Sequence, residues 1–425
     1  MHILIKLCAA SASLAVVAAT AVGMPSASAA GNTSLPVKNL AAKHAKFTEM
    51  GGATPLRTDK TVAHWSGQFT DPTNGVTYGY TMVGADPATN GSTTTPADII
   101  PLNLAFSANN GYALNGTDVV DRTVNSPIFR SGNYSTTAKS GDYQFDTGGG
   151  ELSAGNHGVQ YEDAVMRSQF NKVGSSYHVK LARPTVHAPV TLTVPQSKGS
   201  AFATSDGIVF GLTDATWFSG RISQLMGQLG TDPTHLPVFL TNNVMLYIGS
   251  LDNCCVIGFH GASVVNGHGG GGTNGNGKQG VQTFAYAAYT APGTFGDGKG
   301  GPDPFLRDIH ALSHEIAEWG DDPFVNNRVN PWLTPTAPQY GCTDLLETGD
   351  PVVGIGFTMP GNTYDAANPF ADGYFHPEDE VFLPWFARQD PNTTSQLTQS
   401  GSGGRYTFMG DLNPYPGFRM PATGC

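Results

Sequence analysis

The chain has 425 residues, of which 39% are hydrophobic and only 13% charged, with 54 glycines and 29 prolines. That is too apolar for a disordered chain and too poor in charge for a coiled coil, while the length suffices for two or three domains with sizeable cores. Against 33 acidic side chains stand 22 basic ones, and the net charge of −11 repels phosphate backbones and excludes nucleic acid as a partner.

Residues 1–30 read as a secretory signal peptide. Lys6 gives a positive start, Leu7 to Met24 is apolar and rich in Ala and Val, and Ala27-Ser28-Ala29 or Ser28-Ala29-Ala30 is a small-residue cleavage site. The competing reading is a single membrane anchor, since about 18 apolar residues approach the minimum span. No later segment has enough continuous apolar residues to cross a bilayer, so the expectation is a secreted, extracellular protein with no membrane contact after signal removal. Cys8 leaves with the signal, and Cys254, Cys255, Cys342 and Cys425 remain. An even count in an exported chain implies two disulfide bonds. Adjacent cysteines strain a bond to each other, so Cys254 and Cys255 are expected each to reach one of the distant pair. No CxxC pair is present, which argues against a zinc ribbon or a thioredoxin-like motif.

Residues 31–204 read as a β-rich, sandwich-like domain. Val76, Tyr78, Tyr80 and Met82 alternate with small or polar residues, as do Ile100 to Phe106, Tyr177 to Leu181 and Val190 to Val194. One helix interrupts them near Val159 to Phe170. This half could include a pro-segment, although no clear dibasic processing site ends it, and its surface could contact glycan or cell-wall polymer. Five Asn-x-Ser/Thr sites matter only where a host glycosylates.

From residue 205 to 425 the pattern becomes α/β. Asp214 to Leu229 carries apolar residues at helical spacing between Thr213 and Gly230. Pro237 to Leu240, Val244 to Ile248, Val256 to Phe259 and Thr283 to Tyr289 are buried strands. Gly267 to Gly280 is a Gly- and Asn-rich surface loop, and Gln279 after Gly277-Lys278 removes the phosphate-loop reading.

The chemistry lies in Asp303 to Gly320. Asp303 is a candidate N-cap, Pro304 suits the first helical position and Gly320 can close the helix, giving a helix over 304–319. Phe305, Ile309, Leu312, Ile316 and Trp319 make one apolar stripe, which puts His310, His314 and Glu318 on the opposite side. His310 and Glu318 are separated by roughly 12 Å of rise, so they cannot share one zinc. His314 can share an ion with either residue four away, His310 or Glu318; the second pair is preferred because Glu315 then follows the first ligand, as in HExxH, as the base that takes a proton from a metal-activated water.

A third ligand is expected from Asp344-Leu345-Leu346-Glu347-Thr348-Gly349-Asp350, with Glu347 preferred and Asp344 or Asp350 as alternatives. A solvated acidic turn or a calcium loop is the other reading of that stretch. In Tyr374 to Glu380, Tyr374 or His376 could donate to a developing oxyanion, or His376 could complete the metal shell.

These residues resemble a known pattern. Leu312-Ser313-His314-Glu315-Ile316-Ala317-Glu318-Trp319, Asp322-Pro323-Phe324 with Asn326 or Asn327, Pro331-Trp332 and Leu346-Glu347-Thr348-Gly349-Asp350-Pro351 are similar to secreted zincin-like, metallopeptidase-related proteins of bacteria and fungi. The plant phosphate-induced Exordium proteins show a similar order, a His-Glu-x-x-Glu helix followed by a Glu-x-Gly-Asp. The resemblance spans most of residues 200 to 390.

It implies an α+β chain whose second half is a zincin-like domain, with an active-site helix beneath a small twisted sheet. It also implies Zn2+ held by His314, Glu318 and Glu347, with Glu315 as base. Glutamate at position 318 makes the shell more anionic than in HExxH enzymes and the bound water less acidic. The expected function is a secreted zinc metallopeptidase acting on an extracellular peptide or protein. The alternative is a non-catalytic extracellular binding or signalling protein with a structural or degenerate metal site.

Overall fold

In the computed structural model, which describes residues 35–41, 60–131, 139–140, 143–144, 160–172, 175–266, 279–296, 301, 303–336, 338, 341–362, 372–391, 406–408 and 416–425, a seven-stranded mixed sheet organises the chain. Its strands are β1 (Ala97–Phe106), β2 (Tyr112–Asn115), β3 (Thr185–Val186), β4 (Val190–Val194), β5 (Leu236–Asn242), β6 (Gly258–Asn266) and β7 (Gln279–Tyr289). The order across the sheet is β3-β1-β5-β7-β6, and β4 and β2 pair with the far part of β1. Neighbours from β3 to β7 run parallel, whereas β6 closes the edge antiparallel to β7.

Side chains alternate across a strand, so the register sorts the core into two layers. Phe259, Tyr286, Phe239 and Ile100 stand in one row and pack against helix Ala215–Leu229, with Phe218, Ile222 and Met226 among its contacts. The next row is His260, Ala285, Val238 and Ile99, and it faces helix His310–Asp321, whose Ile316, Ala317 and Trp319 fill the opposite core. These helices, with Tyr161–Gln169, are named α1 (Tyr161–Gln169), α2 (Ala215–Leu229) and α3 (His310–Asp321). The predicted boundaries of α2 fit closely, with Asp214 accepting from the Trp217 N–H at the start and Gly230 left-handed at the end.

A four-stranded sheet from Gly199–Ala203, Val209–Asp214, Val244–Tyr247 and Cys254–Val256 carries a third, smaller core. Many strands and few helices make the chain mixed α+β. The sandwich expected of residues 31–204 does not form by itself. Ile99 lies in one core and Ile100, Leu102 and Leu104 in the other, so β1 needs cover on both faces and finds it from helices of the second half of the chain. Leu35–Cys425 is accordingly one compact unit, and the sheet crosses the boundary expected at residue 204. Residues 1–30 and 267–278 lie outside the described residues. No described helix is long and apolar enough to cross a membrane.

The expected helix over 304–319 begins later and ends later. Asp303 Oδ1 accepts from the N–H groups of Phe305 and Leu306, but it turns a loop rather than capping the helix. Asp308 adopts φ 42° and accepts from Ile309 N–H, which breaks the chain direction just before His310. At the other end Gly320 stays inside α3. Its missing side chain makes room for Glu162 of α1, since a Cβ there would lie 2.8 Å from Glu162 Cδ.

The disulfide expectation is also corrected. Cys342 bonds Cys425, and Cys254 bonds its neighbour Cys255. Strand pairing decides the first: Leu333 pairs with Cys342, and Trp332 bridges Gly424, so the chain end lies beside Cys342.

Candidate metal centre

Helix α3 brings His310, His314, Glu315 and Glu318 under the edge of the sheet. His314 Nε2 lies 3.1 Å from Glu318 Oε2, one turn away, and 3.9 Å from Glu315 Oε1. The two expected ligands therefore meet, with the expected base beside them. Glu318 is held by its other oxygen, because Oε1 accepts from the N–H groups of Gly349 and Asp350 at 3.2 Å each. The Glu-x-Gly-Asp segment is thus tied to the helix through its backbone. Gly349 is required for that approach: a Cβ there would fall 2.8 Å from His314 Cγ.

His314 is fixed from behind as well. Its Nδ1 donates to Glu378 Oε2 at 3.0 Å, which leaves Nε2 facing Glu318. The same Glu378 oxygen is 3.0 Å from His310 Nε2, so His310 belongs to the support and not to the ligand face. Glu378 itself is placed by its backbone, whose N–H donates to Ser313 Oγ and whose carbonyl accepts from Tyr161 Oη.

A second imidazole enters from β6. His260 is 1% exposed, with Nδ1 at 3.4 Å from Glu315 Oε2 and 3.5 Å from Glu318 Oε2. Its Nε2 faces Glu347 Oε2 at 3.9 Å. Sequence reasoning missed His260. Its signal was a polar residue directly after the apolar run Val256 to Phe259, on the face opposite Phe259.

Two sets of ligand atoms lie within 4.8 Å of one another: His314, Glu318 and Asp350, and His260, Glu315 and Glu318. Asp350 thus stands with His314 and Glu318, whereas Glu347, the preferred third ligand, is buried and reaches the cluster through His260. Asp344 pairs with Arg328 at the surface.

Comparison with protein-family models, curated proteins and solved structures finds no match. The reading of this site therefore rests on its own chemistry.

Tyr374 is half-exposed on Gly373–Phe375, and the partners of His376 are Asp308, at 2.7 Å from Nδ1, and Asp372, at 3.5 Å from Nε2. Those contacts place His376 against the loop ahead of α3 and beside a cavity of about 870 Å³ lined by Arg307, Phe305 and Phe295.

The cluster's own charges split its titrations. Burial alone would push His314 and His260 down, but the neighbouring glutamates outweigh it and hold both well above the ordinary histidine range. Burial likewise favours the neutral form of Glu318, yet His314 and His260 pull it far below the usual carboxylate range. Glu315, where burial wins over His260 and His314, moves up. Two carboxylates on one helix turn are driven apart, one ionised and one able to take and release a proton near neutrality.

Proposed function

We propose that the protein is an exported zinc-dependent hydrolase, specifically a peptidase acting on extracellular peptide or protein. The observation that carries this reading is that ligand atoms of His314, Glu318 and Asp350 lie within 4.8 Å of one another, with His314 Nδ1 held by Glu378 and Glu318 Oε1 held by two backbone N–H groups. One imidazole nitrogen with two carboxylate oxygens is a donor set that zinc accepts. A mixed sheet whose antiparallel edge strand β6 lies over the ligand-bearing helix supports the zincin-like assignment.

His314 and Glu318 would hold the ion, with a third ligand from the segment Glu347 to Asp350. Bound there, zinc would polarise the scissile carbonyl and make a water a better nucleophile. Glu315 would serve as the base for the attacking water and as the acid for the leaving amine. Glu378 keeps His314 Nδ1 protonated and its ring oriented. Tyr374 is the proposed donor to the oxyanion, tested by Tyr374→Phe, whereas both ring nitrogens of His376 already face Asp308 and Asp372.

Elemental analysis and hydrolysis of wild type and Glu315→Gln test the proposal. Wild type should hold zinc, and the variant should keep it while losing activity by about 10²-fold or more. A chain that takes up no metal, or equal hydrolysis by the variant, removes the reading.

A second reading is favoured by burial. His260, Glu315, Glu318 and Glu347 are all below 5% exposed, and a closed site is the mark of a structural ion in a binding or signalling protein. In that case chelation lowers the melting temperature while no peptide library is cleaved.

A further inference from the structure

The cluster offers more ligands than one zinc takes. Its two sets of three share Glu318 and no other residue. A tetrahedral zinc with bonds of about 2.1 Å spans ligand atoms about 3.4 Å apart. His260 Nδ1 stands 3.4 Å from Glu315 Oε2 and 3.5 Å from Glu318 Oε2, which fits an edge of such a tetrahedron without rearrangement. His260 is itself fully buried, its Nδ1 hydrogen-bonds Glu315 Oε2, and its Nε2 has no hydrogen bond among the described residues, so the ring is aimed into the cluster.

We propose that His260, Glu315 and Glu318 form a second divalent-cation site that shares Glu318 with the first. Its occupation engages Glu315, so excess zinc stops hydrolysis. This functional consequence rests on the peptidase reading, whereas the number of ions bound does not. The second ion binds more weakly, because it meets the charge of the first across one shared carboxylate.

The test is zinc titration of the metal-stripped full chain, read as ions per chain, together with hydrolysis across the same titration. Wild type should bind two ions, the second at least about tenfold more weakly, and activity should rise with the first equivalent and fall with the second. His260→Ala should bind one. If that variant does not fold by circular dichroism, His260→Asn takes its place with the same expectation. One ion in wild type overturns the inference and leaves the peptidase reading standing. Two ions in the variant overturn the assignment to His260, and activity unchanged by the second equivalent overturns the inhibitory role. No ion in wild type overturns both readings.

Discussion

Glu378→Gln isolates the support of His314 from the ligands themselves. Glu378 is fully buried, and one of its oxygens lies 3.0 Å from both His314 Nδ1 and His310 Nε2. Burial favours its neutral form, but the two imidazoles overcome that and hold the carboxyl below its usual range, so the group acts as an anion. Its backbone is fixed separately through Ser313 and Tyr161, so the substitution changes the side chain's charge without releasing the segment. A hydrogen bond to a charged group contributes about 1.5–3 kcal/mol, and loss of such an outer partner costs about 10–100-fold in metal affinity, or about 1.4–2.8 kcal/mol.

An amide oxygen still accepts from Nδ1, though in a bond roughly half as strong, which places Glu378→Gln near the tenfold end and Glu378→Ala near the hundredfold end. Competition for zinc against a chromophoric chelator at neutral pH reads the affinity, and a melt of the metal-free variants separates binding from folding. If Glu378→Gln binds zinc as tightly as wild type while Glu378→Ala folds and does the same, Glu378 does not orient a ligand and the assignment of His314 Nε2 loses its support.

Three further outcomes are expected. Gly320→Ala should lower the urea midpoint, because overpacking against Glu162 costs about 1–3 kcal/mol and outweighs the helix propensity of roughly 1 kcal/mol that alanine adds; equal or greater stability would refute the contact. Cys342→Ser opens a bridge between residues 83 apart, for which loop entropy gives a loss of about 4.5 kcal/mol, and wild type under reductant should show the same drop. Asp321 is pushed up to about 8 by burial and by the charges of Asp322 and Glu318, against a hydrogen bond from Gln169. Its folded form keeps a proton that the unfolded chain loses near pH 4, so its contribution is most favourable in acid and declines until pH 8, by at most about 1.4 kcal/mol per pH unit. Urea melts of Asp321→Asn, which keeps an acceptor for Gln169, should therefore gain on wild type between pH 5 and 8, and a difference independent of pH would count against the reasoning.

How far the sequence could be read depended on the range of the interaction concerned. Helix α2 was legible to within a residue because its signals are local, an apolar period and a left-handed glycine, although the start was set at Asp214 after Thr213 and Asp214 is itself the cap. The ligand face of α3 was legible for the same reason, since His314 and Glu318 are neighbours through the helix itself. Its ends were not, because Asp308 is recruited by His376, at 2.7 Å through a contact of 68 residues' separation, and Gly320 serves a helix far earlier in the chain. His260 escaped notice because one histidine after an apolar run has no local period to mark it, and only the β6–β7 register turns it toward α3. The disulfides failed on the same ground, since the Trp332 to Gly424 bridge that sets Cys425 beside Cys342 is visible only in three dimensions.

The acids around α3 explain why a cation would gather at one end of the helix. Near Gly320, Glu162 is fully buried and burial, then Asp321 and Asp163, drive its carboxyl well above the ordinary range; Asp321 follows in the same direction. Near Glu378, Glu380 is likewise raised by burial and by Glu378, and it accepts from Tyr161 Oη. These groups meet the cost of burial by keeping their protons, and a neutral acid is a poor ligand for a hard cation. Glu318 and Glu378 are the opposite case: His314 and His260 hold the first ionised, and His314 and His310 the second. Negative charge is thereby concentrated where an imidazole nitrogen already points, so a dication entering this interior would find its counter-charge at Glu318, beside His314, and not at Asp321, although all three lie on the same twelve-residue helix.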